Sequence, residues 1–290
     1  MKEKIKCKKC QLLIDSELDS CPYCGYENNH EEESKNDALK EEIKIEEKAP
    51  RKELFPSKVL ILNKSKEWIV FIMGYLLLQV ISIILSTIAL SLNFYFANSL
   101  VGSAILNFST YFILFGVLLC YLGFDVLLVL KPFKKLDTYL RGIGYGIILI
   151  IATVITSLIM KAIYDPGSSN QNEQSINLIT IEFPFLSLIV FGFIGPIVEE
   201  LAYRLGLFGF FKKINRPAAY ILTALVFGLI HFNFATSDFL LELVNLPPYI
   251  VAGLVLCFIY DKEGIGTSIM AHVVNNVYSV LMTIIAINLL

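Results

Sequence analysis

Residues 68–92 read WIVFIMGYLLLQVISIILSTIALSL, a run without one charged side chain. A helix of that length reaches about 37 Å at 1.5 Å per residue, enough to cross the ~30 Å hydrocarbon core of a bilayer. The uncharged stretch continues from Trp68 to Phe124, and most of the Lys, Asp and Glu of the N-terminal half lie in residues 1–67. Two parts meant for different solvents are therefore expected. Across 290 residues, 56% are hydrophobic and 17% charged, and the mean hydropathy is +0.65. That balance is too apolar for a water-soluble domain and marks an integral membrane protein. A net charge of -2, with no basic patch interleaved with aromatics, gives no reason to expect nucleic acid as a partner.

Working outward, apolar runs near 68–92, 103–130, 139–161, 183–210, 217–235, 240–260 and 264–288 fit seven crossings, with six or eight as neighbouring counts. The expected fold class is an all-α polytopic membrane protein of about seven transmembrane helices over residues 67–290, preceded by a small N-terminal module. Pro184, Pro196, Pro247 and Pro248 predict kinks or shortened ends, and Gly192, Gly195, Gly206 and Gly209 allow helices to approach closely. Lys and Arg gather before the first span, between the second and third, and between the fourth and fifth; the loops near 93–102, 162–182 and 236–239 have none. By the positive-inside rule the N-terminus is cytoplasmic and the C-terminus outside, in a multi-pass protein of the cell membrane. No signal peptide is expected at the N-terminus. No internal repeat of transporter type is evident.

Four of the six cysteines fall as Cys7-Lys-Lys-Cys10 and Cys21-Pro-Tyr-Cys24-Gly25. Each pair lets two thiolates reach one tetrahedral ion from a tight turn, and Gly25 suits the left-handed backbone of such a knuckle. Residues 1–27 therefore predict a zinc ribbon with a closed, structural Zn2+ site of Cys7, Cys10, Cys21 and Cys24. Two disulfides or a redox pair are the competing reading, and twin knuckles in so short a segment favour metal. Reduced thiols agree with the cytoplasmic orientation. The segment resembles short zinc-ribbon modules at the N-terminus of bacterial membrane proteins. Residues 28–66, rich in Glu and Lys, predict a charged flexible linker, with His30 a solvated linker residue.

Buried chemistry concentrates at three places. Glu199 and Glu200 stand side by side in FGFIGPIVEELAYR, residues 191–204, where an ionisable group is expensive and usually functional. Glu200 precedes Arg204 by four positions, the spacing of a helical ion pair, so its expected role is structural. Glu199 lacks such a local partner and is the candidate general base. Phe227 and His231 share a helical face, as do His272 and Asn276. The latter pair suits oxyanion stabilisation, and helix-to-helix hydrogen bonding explains either group equally well in isolation. Asn275 is expected to point elsewhere. Counted from Lys212, Arg216 and Lys262, residues Glu199, His231 and Asn276 lie about 20 Å along their helices. A common depth is what one site requires.

Taken together, Glu199-Glu200-Leu-Ala-Tyr-Arg204, Phe227-Gly-Leu-Ile-His231 and His272-Val-Val-Asn-Asn276 resemble the motifs of the CPBP family of intramembrane proteases. That family includes the type II CAAX prenyl endopeptidases and the bacteriocin-processing and self-immunity proteins. The likeness covers about residues 140–290. It implies that Glu199 and His231 activate water, that His272 and Asn276 stabilise the oxyanion, and that Glu200 and Arg204 support the helix presenting Glu199. The family has also been described as zinc-dependent, which leaves catalytic Zn2+ open; metal-independent hydrolysis is favoured. The implied partners are a membrane-associated peptide or protein substrate, the lipid bilayer, and a cytoplasmic protein that binds the zinc ribbon. A non-catalytic self-immunity or scaffold protein is the alternative, and a transporter with a proton relay comes third.

Overall fold

The structure, a computed structural model, describes residues 4–7, 9, 11–15, 18–27, 60, 62–91, 99–165, 167–234 and 236–288. Cys10, His30 and residues 28–59 of the linker expected at 28–66 lie outside the described residues. Contacts divide the chain into two compact units, Met1–Leu54 and Phe55–Leu290.

In the first unit, β1 (Lys4–Lys6) and β2 (Leu13–Asp15) form an antiparallel hairpin with Ile5 opposite Ile14. So short a hairpin buries too little to stand by itself. Its interior is Ile14 together with Cys7 and Cys21, all buried, with Ile5 and Cys24 packed against them. The sulfurs of Cys7, Cys21 and Cys24 lie within 4.8 Å of one another, and Cys7 Sγ and Cys24 Sγ are 3.6 Å apart, a non-covalent separation. Gly25 takes φ +68° and donates its N–H to the Cys21 carbonyl, the left-handed turn expected of a metal knuckle.

The second unit is helical. Among the described residues, six helices are long and apolar enough to cross a membrane: α1 (Lys64–Ala89), α2 (Leu100–Lys134), α3 (Leu136–Ile163), then, after the shorter α4 (Gln171–Glu182), α5 (Pro184–Lys212), and, after the apolar α6 (Arg216–Leu229), α7 (Phe239–Glu263) and α8 (Ile265–Ala286). The chain is a multi-pass membrane protein. Helix starts follow local chemistry: side chains of Asn63, Ser99, Asn170, Asn215 and Asp238 each accept a backbone N–H from the first turn, satisfying groups that a helix end orphans. Pro184 begins α5 at a position where no N–H is needed. Pro247 and Pro248 lie inside α7, which runs on through them.

Two expectations are refined. The run expected at 217–235 is helical only as α6, whose 14 residues reach about 21 Å, so His231 lies in the turn beyond its end. Residues 162–182, read as a loop, contain α4, whose mixed polar sequence carries no spanning signal.

Helix α5 is the interior element. In its most apolar window 61% of residues are buried inside the protein, against 11% for α1 and α3, whose Ile83, Ile84, Ile151 and Leu158 face outward. Leu114, Leu118, Leu205 and Phe208 are fully buried around it. Close approach depends on missing side chains: a Cβ on Gly206 would stand 2.8 Å from the Phe71 backbone nitrogen, and one on Gly146 would stand 2.6 Å from Val274 Cβ. Helix α5 also departs from regular α geometry, with π-helical stretches at Val190–Ile194 and Glu200–Phe208. Such wide turns are rare and cluster at functional sites.

Candidate active site

Glu199 closes the regular turn Gly195–Glu199 and Glu200 opens the longer π stretch. The two carboxylates therefore leave the helix in different directions, as expected of neighbours. Glu200 is completely buried and sits 3.1 Å from the Arg204 guanidinium, itself completely buried. None of the Arg204 nitrogens makes an aligned hydrogen bond to the described residues; the guanidinium instead lies over the Phe227 ring, 4.4 Å from its centroid. Charge attraction and a cation–π contact hold Arg204 together.

Glu200 has a second role that local spacing does not reveal. Its Oε1 stands 2.9 Å from His272 Nδ1, and its Oε2 accepts the Ser268 hydroxyl. A carboxylate only accepts, so Nδ1 carries the proton and Nε2 becomes the working nitrogen. That Nε2 lies 3.6 Å from Glu199 Oε2. Glu200, His272 and Glu199 thus form a chain across α5 and α8.

His231 is fixed by the same logic. Its Nδ1 is 2.8 Å from the Phe227 carbonyl, an acceptor, which again leaves Nε2 for chemistry. Its ring stacks on Tyr249 at 4.3 Å between centroids, and on its other side lies Phe227 at 5.1 Å. Because α6 has already ended, other elements hold this turn. The buried Asn170 donates its amide to the His231 carbonyl, and the buried Glu242 accepts the N–H groups of Gln171 and Asn233. Neither residue carries a sequence signal: each is one polar side chain in a mixed segment.

Asn276 donates its amide to the Phe191 carbonyl at 3.1 Å, in the first π stretch, and its Oδ1 accepts from Asn275. Asn275 therefore does not point away, as expected from helical spacing; it shares the cavity wall with Asn276.

Glu199, His231, His272 and Asn276 line one cavity of about 420 Å³, together with Tyr111, Tyr203 and Tyr249. Among the described residues, Cys7, Cys21 and Cys24 form the one group of three whose ligand atoms come within 4.8 Å of one another. Away from the cavity lining, two buried acids are paired with cations: Asp261 with Lys212 at 2.6 Å and Arg216 at 2.5 Å, and Glu67 with Lys213 at 2.7 Å.

A polytopic helical membrane protein with two histidines and a carboxylate around an internal cavity defines a class, and comparison with known proteins places the motif-bearing part more closely. Residues 181–278 match the family model described as Type II CAAX prenyl endopeptidase Rce1-like. The chain is 29% identical over 171 residues to the candidate membrane peptidase YdiL of Bacillus subtilis (strain 168), covering 54% of this chain and 66% of the relative. It is 30% identical over 173 residues to the UPF0177 protein in the abiGi 5' region of Lactococcus lactis subsp. cremoris, covering 56% and 65%. The UPF0177 protein YaiH of Lactococcus lactis subsp. lactis (strain IL1403) is 29% identical over 175 residues, covering 56% and 64%. The chain thus spans slightly under two thirds of the length of the curated relatives it matches. No solved structure matches it significantly.

Proposed function

We propose that the chain is an intramembrane endopeptidase that hydrolyses a peptide bond of a membrane-associated protein or peptide. The observation that carries this reading is the Glu200–His272–Glu199 chain at one wall of a cavity that His231 also lines. A water held between Glu199 and His231 gives its proton to the Glu199 carboxylate as its oxygen attacks the scissile carbonyl carbon. The carbonyl becomes an oxyanion; the C–N bond then breaks as Glu199 passes the proton to the leaving amine. Overall, one water and one peptide bond become a carboxylic acid and an amine.

Asn276 and His272 are the proposed oxyanion donors. Asn276 keeps one amide hydrogen beyond that given to Phe191. His272 donates from Nε2 only when both ring nitrogens are protonated, because Nδ1–H is committed to Glu200. The Glu200 and Glu199 carboxylates on either side supply the negative charge that pairs with such an imidazolium. Glu200 is then a positioning residue and Arg204 its counter-ion. Hydrolysis without a catalytic metal is the favoured route, with catalytic Zn2+ the alternative that the metal-stripping arm below tests.

The ribbon is proposed to hold structural zinc through Cys7, Cys21 and Cys24, with Cys10 as fourth ligand, and to recruit a cytoplasmic protein. Loop charge supports a cytoplasmic N-terminus and an outer C-terminus in the cell membrane. The deciding experiment incubates the purified protein in nanodiscs with a peptide library, with and without metal stripping checked by elemental analysis. Cleavage by the wild type and its loss in Glu199→Gln is the expected result. A Glu199→Gln variant that cleaves normally would sink the assignment of the base, and activity lost on stripping an ion not held by the ribbon cysteines would sink the metal-free route.

A further inference from the structure

The cavity has a second wall that the proposed hydrolysis does not use. Helix α4 contributes Asn172, Glu173 and Asn177, and α1, α3 and α7 add Gln79, Ser157 and Asn245. Amides and hydroxyls of this kind match the hydrogen-bonding groups of a peptide backbone better than they match a lipid tail. Charge sets this wall apart further. The cavity lining carries two carboxylates, Glu199 and Glu173, and no Lys or Arg among the described residues.

Glu173 differs from the other acids around the helices. Asp261 and Glu67 are each neutralised by a cation at 2.5–2.7 Å, whereas no described cation stands within ion-pair distance of Glu173 and no described side chain donates a hydrogen bond to its carboxylate. Lys161, on α3, acts on it only from farther away. Glu173 is an exposed residue on the cavity lining, and a carboxylate there without a counter-ion biases the local potential negative, which draws cations and repels anions such as a free C-terminal carboxylate.

Its place is also fixed relative to the proposed catalytic groups. Asn170 caps α4 by accepting the Glu173 backbone N–H at 2.9 Å, and the same side chain donates to the His231 carbonyl at 3.3 Å. Glu242 ties the first residue of α4 to the loop at Asn233. One buried network therefore holds both the His231 turn and the turn that presents Glu173.

We propose that Glu173 is a substrate-recognition residue: its carboxylate receives a cationic group of the peptide, an ammonium or guanidinium, and sets the register between that group and the bond presented to Glu199 and His231. Cleavage at a set distance from the cation rests on the peptidase reading above; the binding preference rests on the cavity alone.

Two arms test this with the full-length protein in nanodiscs. The first measures equilibrium binding of labelled apolar peptides that differ only in carrying Lys or the uncharged norleucine, each with a free or an acetylated amino terminus. A charge-assisted hydrogen bond in a cavity favours the Lys peptide by about tenfold or more, and Glu173→Gln removes that preference; Glu173→Lys reverses it toward peptides with Glu in place of Lys. Acetylation separates the sources: a preference that survives it belongs to the side chain, and one that disappears belongs to the amino terminus. The second arm maps cleavage sites in a random peptide mixture, where Lys and Arg are expected at one fixed distance from the cut in wild type and not in Glu173→Gln. Equal affinities in the first arm, or a preference unchanged in Glu173→Gln, overturns the proposal. Charge-selective binding without any cleavage leaves recognition standing and overturns the peptidase reading instead.

Discussion

Two regions of the helical unit use carboxylates in opposite ways. Asp261 is fully buried and draws Lys212, Arg216, the Tyr220 hydroxyl and, at 3.9 Å, Lys262. Glu67 is equally buried and binds Lys213 and the Leu62 N–H. In the cavity, by contrast, no described Lys or Arg lies within ion-pair distance of Glu199 or Glu173. A buried charge that is neutralised on all sides holds helices together; one left open to a cavity is available to water or ligand. What each carboxylate's oxygens already bind, whether cations as at Asp261 and Glu67 or backbone N–H groups as at Glu242, rather than burial itself, separates the acids that hold helices together from those left open to the cavity.

The comparison breaks if removing an open acid unfolds the protein, or if removing a paired one spares it. The largest effect is expected from Glu199→Gln: peptide cleavage falls by roughly 10²–10⁴-fold, the usual worth of a general base, with the melting temperature unchanged. Activity assays beside thermal unfolding in detergent check both halves. Next, Asp261→Ala should lose roughly 2–4 kcal/mol of stability, since Lys212 and Arg216 keep some exposure that softens the loss of their counter-charge. Its expected signature is a lowered unfolding midpoint with cleavage per folded molecule retained. Gly206→Val places a side chain where the Phe71 backbone already stands and should cost about 1–3 kcal/mol by forcing α1 and α5 apart, read in the same unfolding assay.

A smaller, pH-dependent effect sharpens the distinction at Glu173. Surrounding protein raises its carboxyl above the ordinary value of 4.5 by displacing water, with Lys161 opposing. The folded carboxyl therefore holds its proton more tightly than the unfolded one. Stability from this group is present below 4.5 and is lost as pH rises through the raised value; Glu173→Gln should flatten that slope. The preference for a cationic peptide runs the other way, present above the raised value and lost as pH falls through it, which binding measured across that window would reveal. The smallest effect belongs to the half-exposed pair of Lys66 and Asp125: Lys66→Met should shift stability by less than about 1 kcal/mol.

Much of the site was legible in the motifs, and its internal wiring was not. Four-residue spacing brought out Glu200 with Arg204 and Phe227 with His231, because one helical turn is enough to make those pairs meet. The same rule sent Asn275 away from the cavity and confined Glu200 to an ion pair. Both errors come from treating each helix alone: His272, on a different helix, is the partner that completes Glu200, and Phe191, in a π stretch, is the acceptor that turns Asn276. Asn170, Glu173 and Glu242 gave no signal at all, since single polar residues in mixed segments look like ordinary surface.

The sequence by itself determined that this is a multi-pass helical membrane protein, because hydrocarbon thickness converts run length directly into spanning helices. It also determined where a cysteine knuckle forms, because two thiols two residues apart turn toward one point whatever surrounds them. Tertiary structure decided which ring nitrogen His231 and His272 leave open, which acid is left open, and which helix end carries His231. Those outcomes depend on the register between helices, set by bare glycines such as Gly146 and Gly206 and by the wide turns of α5, and no local spacing encodes that register.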